Sequence, residues 1–203
     1  MEATRIPPTA ARRGRPRSAA SEQAILMAAL DLLAEGQGPA SLSIAAIARR
    51  AGAGKDTIYR RWQTKEDLLL DALAAQIGEI EIPAQMPLHD ALVMALSAMI
   101  ARLQDERPRK IMRSMQGAGD DFPKLRERYY EQVVRRRHET IEQHVRAAVA
   151  RGEIPESPAL RHAVEMPFHH TLMRALEDDP ITGDPVEVAT ELVNIIMRGV
   201  LPA

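Results

Sequence analysis

Residues 51–69 read AGAGKDTIYRRWQTKEDLL, and the role of residues 52–57, Gly-Ala-Gly-Lys-Asp-Thr, decides the fold. A glycine-rich turn running into a lysine and a threonine fits the end of a phosphate-cradling nucleotide loop. It fits equally a turn that sets a short helix into a DNA groove. A nucleotide loop needs Gly-x-x-x-x-Gly-Lys-Ser/Thr between a strand and a helix, so that backbone N–H groups wrap the phosphates. Registering Gly54 and Lys55 on that pattern puts Arg49 where the first glycine belongs and Asp56 where the magnesium-binding hydroxyl belongs. What precedes is patterned as a short helix, not as an apolar strand. The nucleotide reading fails on all three counts.

The helix-turn-helix reading passes where the other fails. Two short helices, expected over about residues 43–50 and 54–62, need a tight turn with a residue tolerant of positive φ, and Gly52 supplies it. Ala48, four residues earlier, is small enough for the helices to approach. Ile44, Ile47 and Ile58 offer apolar contacts to a third helix, and Ser43 is placed to cap the first. The second helix then presents Lys55, Asp56, Thr57, Tyr59, Arg60 and Arg61, a set of donors, one acceptor and a phenol suited to base edges and phosphates. Upstream, Arg12-Arg13-Gly14-Arg15-Pro16-Arg17 is a proline-stiffened basic arm. Such an arm either enters a narrow A·T minor groove or serves as a solubilising tail. Downstream, Lys65 stands at a helix start, where backbone N–H groups and a cation together suit one phosphate.

The charge distribution agrees. The 203-residue chain has a net charge of −1. Residues 1–67 carry 11 Lys and Arg against 7 Asp and Glu, and the rest carries 16 against 21. The first third is the basic part, as expected where one end meets a polyanion. With no cysteine, disulfides, thiolate zinc sites and cysteine nucleophiles are excluded. No apolar run approaches the roughly 20 residues needed to span a bilayer, and the N-terminus lacks a signal peptide's apolar core. A cytoplasmic protein without membrane contact is the expectation.

Helical patterning runs throughout, so the expected class is all-α with about nine helices. Ile25, Ala28, Ala29, Leu32 and Leu33 form one face of a helix ending near Gly36. Thr64-Lys65-Glu66-Asp67 opens a longer helix with a capping residue and first-turn carboxylates. Residues 82–87, with two prolines, mark a boundary. Beyond it, helices are expected over about 88–104, 108–116, 122–151, 157–176 and 184–199, with a kink at Pro167, whose ring frees the carbonyl of Ala163. The last helix is apolar on two adjacent stripes. Packing in its own core and a two-fold dimer interface both explain that breadth.

Taken together, GRPRSAASEQAILMAALDLLAEG, SLSIAAIARRAGAGKDTIYRRW and TKEDLLLDAL resemble the tetracycline-repressor-like (TetR) family of bacterial transcription regulators. The resemblance is strong over about residues 12–75. It implies an all-α homodimer with a flexible basic arm (1–17), a DNA-binding unit (18–81) and an effector-binding and dimerisation unit (82–203). Carried over by position, Arg13, Arg15 and Arg17 of the arm, Ser43, Gly54, Lys55, Asp56, Thr57, Tyr59 and Arg60 would meet DNA, and Lys65 would clamp the backbone. Two positions depart from the family pattern. Ala53 replaces a larger apolar residue. Asp56 stands where a small residue is usual, either accepting from cytosine N4 or stabilising the helix N-terminus.

The resemblance also implies a pocket among the central helices. Its expected lining is Met94, Met99, Met112, Met115, Val134, His138, His162, Met166, Phe168, His169 and Met173, suited to an apolar or aromatic small molecule. Ordinary core packing explains any one of these methionines as well. The expected dimer face is Leu160, Val164, Leu172, Val188, Leu192, Ile195, Ile196 and Gly199. His162 and His169 share a helix face, but no further ligands converge on them, so neither metal nor cofactor is expected. The expected function is a ligand-responsive repressor that binds a palindromic operator as a dimer. A sequence-tolerant architectural DNA binder is the alternative. A small helical enzyme comes last, because no nucleophile–base pair stands out.

Overall fold

The computed structural model describes residues 15–78, 80–116 and 122–200, and every regular element among them is helical. In chain order these are α1 (Arg15–Ala34), α2 (Ile44–Ala51), α3 (Lys55–Tyr59), α4 (Lys65–Ile77), α5 (Leu88–Gln104) and α6 (Glu106–Gln116). There follow α7 (Pro123–Tyr129), a π-helical turn (Tyr130–Val134), α8 (Arg135–Ala150), α9 (Leu160–Leu176) and α10 (Pro185–Val200). Because α7, the π turn and α8 run end to end, the described residues make nine helical rods.

The local signals act as their chemistry requires. Thr64 accepts from the Asp67 N–H while the Asp67 carboxylate accepts from the Thr64 N–H, a reciprocal capping box at the start of α4. Two expectations change at helix ends. The first helix begins at Arg15, so the end of the basic arm is already helical backbone. The expected rod over 122–151 contains the π turn, in which one extra residue is fitted into the ladder. At Pro167 α9 runs on unbroken, and the Thr171 hydroxyl donates to the Pro167 carbonyl at 2.7 Å.

Two apolar cores result. The first joins Ile25, Ala29, Leu33, Ile47, Ile58, Trp62, Leu68 and Leu69 from α1–α4 and the turns between them. It also takes in Ile111 of α6 and Leu125 of α7, both fully buried. The second unites Leu92, Leu96 and Ile100 of α5 with Ala148, Val164, Ala189 and Val193 of the last three helices. Packing therefore crosses the proline-marked boundary at residues 82–87, since α6 and α7 lend side chains to the N-terminal core. Polar links follow the same route. Arg107 meets Asp31 at 2.6 Å, the Ser114 hydroxyl donates to the Leu33 carbonyl at 2.7 Å, and Arg128 meets Asp67 at 2.8 Å.

Truncating Ile111 tests this arrangement. Ile111→Ala removes a fully buried side chain and is expected to cost about 2–5 kcal/mol. In urea unfolding, hydrogen exchange should accelerate in α1 and α4 as well as α6. Exchange that rises in the second core alone would contradict the shared packing.

Candidate nucleic-acid interface

The turn is built by backbone geometry. The Ser43 hydroxyl accepts from the Ala46 N–H at 3.1 Å and caps α2. At the other end Gly52 takes φ +62°, ψ 30°, its N–H reaching the Arg49 carbonyl while the Ala53 N–H reaches that of Ala48 at 2.9 Å. This pair of bonds closes a helix with a left-handed residue. A Cβ on Gly52 would meet nothing within 4 Å. Glycine is thus required for the sign of φ and not for space.

α3 hangs on that turn by two buried side chains. Ile58 is fully buried, and Trp62, just beyond the helix, donates its indole N–H to Asp71 of α4 at 2.8 Å. With that side fixed, Lys55, Asp56, Tyr59 and Arg60 face outward, Tyr59 56% exposed, while Thr57 is half-buried. Gly54 opens the helix with extended backbone and no side-chain cap, and Asp56 lies in its first turn, where an acid suits the N–H groups. Arg50, at the end of α2, is held by Glu35 in a two-pronged pair of 2.7 and 2.9 Å. The Arg50 hydrogen bonds hold the Glu35 carboxyl below its usual range. Of the arm, Arg15 and Arg17 belong to the backbone of α1's first turn. Arg13 lies outside the described residues.

Lys65 requires a correction. Its ammonium lies 2.7 Å from the Pro39 carbonyl, 3.0 Å from that of Leu42 and 3.4 Å from that of Ala40, and sits 4.9 Å above the Phe122 ring. An ammonium has three N–H groups, and three carbonyls of the loop entering α2 surround this one. Lys65 braces that loop from inside the molecule and does not reach outward to a phosphate. A cation in the first turn of a helix faces the positive end of the dipole, and these carbonyls offset that repulsion. Phe122 precedes α7, so the same side chain ties the loop to the C-terminal half.

The expected pocket residues lie in different surroundings in the single chain. Met166 is 61% and Met173 53% exposed, and His162, His169 and Met94 are also exposed. Met115 packs on the N-terminal core and Phe168 on the second. Met99, Met112 and Val134 are half-buried. His138 is half-buried, between Tyr130 and His169 in edge-on ring contacts at 6.4 and 6.3 Å, and its Nδ1 has no hydrogen-bond partner among the described residues. Among the described residues no group of three or more potential metal ligands converges. The expected dimer face is also corrected in part. Leu160 and Val164 are buried in the chain's own core, and Val188 and Leu192 lean on it. Leu172 and Ile196 are half-buried, whereas Ile195 is 67% exposed and Gly199 is exposed. Periodicity marked these positions as apolar without saying which stripe met α5.

Comparison with known proteins places this geometry. Residues 25–72 match the family model "Bacterial regulatory proteins, tetR family", and residues 82–193 match "Tetracyclin repressor-like, C-terminal domain". The chain is 28% identical over 193 residues to the HTH-type transcriptional regulator YdeS of Bacillus subtilis, covering 93% of this chain and 94% of that one. In fold it is similar to the solved repressor MexZ of Pseudomonas aeruginosa, with TM-score 0.70, 19% identity and coverage of 90% and 96%. It is likewise similar to the regulator FadR of Bacillus subtilis, solved with stearoyl-CoA, with TM-score 0.67, 20% identity and coverage of 88% and 98%. No helix among the described residues is long and apolar enough to cross a membrane.

The link between α4 and α7 is open to test by pH. The Thr64 hydrogen bond, and after it Arg128, holds the Asp67 carboxyl below its ordinary value. A depressed carboxylate contributes stability that is complete above the unfolded-state value and vanishes as pH falls through the folded one. Asp67→Asn should therefore melt below the wild type at neutral pH, and the gap should close on acidification. A gap that stays constant into the acid range would count against the ion pair.

Proposed function

This chain belongs to the TetR family of bacterial transcriptional regulators, and we propose that it is a homodimeric repressor released from a roughly palindromic operator by a small-molecule effector. In this reading the residues up to 17 supply a basic arm, residues 18–81 the DNA-binding unit, and residues 82–203 the effector and dimer functions. The observation that carries the proposal is α3, whose buried Ile58 and anchored Trp62 leave Lys55, Tyr59 and Arg60 outward on a short, fixed helix. Two such helices, one per protomer, would enter successive major grooves. Lys55 and Arg60 address phosphates or guanine edges, the Tyr59 hydroxyl a phosphate, and Ser43 the backbone beside its cap. Asp56 serves the helix terminus. FadR, solved with stearoyl-CoA, and the repressor MexZ share this fold, which supports an effector-released repressor.

For the dimer, the side chains that support the reading are Met166 and Met173 on α9 with Val186 and Ile195 on α10. All four are large, apolar and exposed in the single chain. An isologous contact through these two helices would cover them.

Two measurements check the proposal. The protein should bind DNA from upstream of its own gene selectively by gel shift, and Lys55→Ala/Tyr59→Ala should weaken binding at least tenfold. Lys55→Ala alone should lower the salt slope by about 1 where Lys55 takes a phosphate, and should relax base preference instead where it takes a guanine edge. Affinity that is flat across unrelated DNA would point to an architectural binder instead. In sedimentation, Ile195→Glu should shift a dimer to a folded monomer with weakened operator binding; an unchanged dimer would move the interface elsewhere.

A further inference from the structure

The loop that delivers α2 is shaped around one cation. The N–H groups of Ser41 and Leu42 both turn back to the Gly38 carbonyl, at 3.1 and 3.2 Å, and the Leu42 side chain is buried in the first core. The carbonyls of Pro39, Ala40 and Leu42 converge instead on the Lys65 ammonium, at 2.7, 3.4 and 3.0 Å. Three carbonyl dipoles aimed at one point repel one another, so this loop shape needs a positive charge at that point. The next residue is Ser43, the cap of α2, and α2 leads through Gly52 into α3. The placement of the recognition helix therefore depends on where one ammonium sits.

Phe122 fixes that seat from the other half of the chain. Its ring centroid is 4.9 Å from the Lys65 nitrogen, inside the roughly 6 Å over which an aromatic face attracts a cation. The ring is half-buried and packs on the first core, three residues ahead of the fully buried Leu125. An apolar ring at this place displaces water, and the lower local dielectric strengthens the N–H bonds to the carbonyls. A lysine ammonium on its flexible stem is otherwise free to wander. To take a DNA phosphate, this one would have to give up a carbonyl, because its three N–H groups already have three acceptors.

We propose that Phe122 is a positioning residue for operator binding: it keeps the Lys65 ammonium on the loop carbonyls, and Lys65 acts on DNA through that loop without touching a phosphate. The proposal rests on the reading of the chain as an operator-binding regulator. It makes one contact between the halves of the chain a determinant of operator affinity. The dimer carries the contact twice, so a loss in each DNA-binding unit multiplies in the operator complex.

The test uses the full-length protein and the duplex that the wild type selects from a randomised DNA pool. Operator Kd is measured against salt for the wild type, Phe122→Leu, Phe122→Tyr, Lys65→Met and Lys65→Met/Phe122→Leu. Tm and hydrogen exchange over residues 39–43 are read on the same proteins. Phe122→Leu, which keeps the apolar bulk and loses the ring face, should weaken the operator roughly tenfold. Phe122→Tyr, which keeps the ring face, should bind like the wild type. Lys65→Met should bind more weakly still with the wild-type salt slope, and the double variant should be no weaker than Lys65→Met. Exchange over 39–43 should rise in Phe122→Leu and in Lys65→Met.

A phosphate contact would instead lower the slope in Lys65→Met by about 1 for each DNA-binding unit, and that result overturns the proposal. So does a Phe122→Leu protein that melts lower but binds like the wild type, since Phe122 would then be packing alone. Losses that add in the double variant overturn it as well. Should Lys65→Met fail to fold, Phe122→Leu decides by its Kd, its salt slope and its exchange over 39–43. A wild type that selects a sequence while Phe122→Leu binds it equally well sinks this proposal alone. A wild type that selects no sequence sinks the regulatory reading with it.

Discussion

A helix of five residues cannot hold its shape alone in water, because nucleation fixes several residues before hydrogen bonds offset the lost entropy. α3 is such a helix, and the rest of the molecule can be understood as what keeps it in place. Its start is set by the left-handed Gly52, its inner face by Ile58, and its exit by the Trp62–Asp71 hydrogen bond. Each of these transfers the position of α3 to α1, α2 or α4. Those helices depend in turn on Ile111 and Leu125, supplied from the far side of the proline-marked boundary. The recognition surface is therefore oriented by residues from both halves of the chain.

Lys65 shows how this dependence is built. Its ammonium gathers the carbonyls of Pro39, Ala40 and Leu42 and covers the Phe122 ring. The loop that delivers α2, the start of α4 and the approach to α7 thus share one cation. Asp67, two residues on, caps α4 with Thr64 and receives Arg128 of α7. Motion of α7 relative to α4 would have to disturb both contacts, and with them the loop ahead of the turn.

What the sequence made legible was local. The Ser43 cap, the Gly52 turn and the Thr64–Asp67 box depend on neighbours within four residues, so their chemistry is written beside them. The apolar face of α1 follows from its spacing for the same reason. Lys65 was misread because its acceptors lie 23–26 residues back in the chain, beyond any local rule, and a cation at a helix start suggests an anion. Leu160 and Val164 were misassigned because a helix apolar on more than one side does not say which stripe is covered internally. Arg137 was invisible for a related reason. It sits in an amphipathic helix where a solvated cation is the default, and only the meeting of α8 with the end of α4 shows it half-buried beside carbonyls.

That meeting place decides how a signal would travel. A ligand shifts a two-state protein only by as much as it binds one state better than the other. An effector therefore has to act on a group whose position differs between two placements of α4. Arg137 is such a group, because its guanidinium stands 3.4 Å from the carbonyls that end α4, and those carbonyls carry the negative end of the helix dipole. A shift of α8 would take that cation from the C-terminus of α4 while the Lys65 brace and the Thr64–Asp67 cap held the N-terminus.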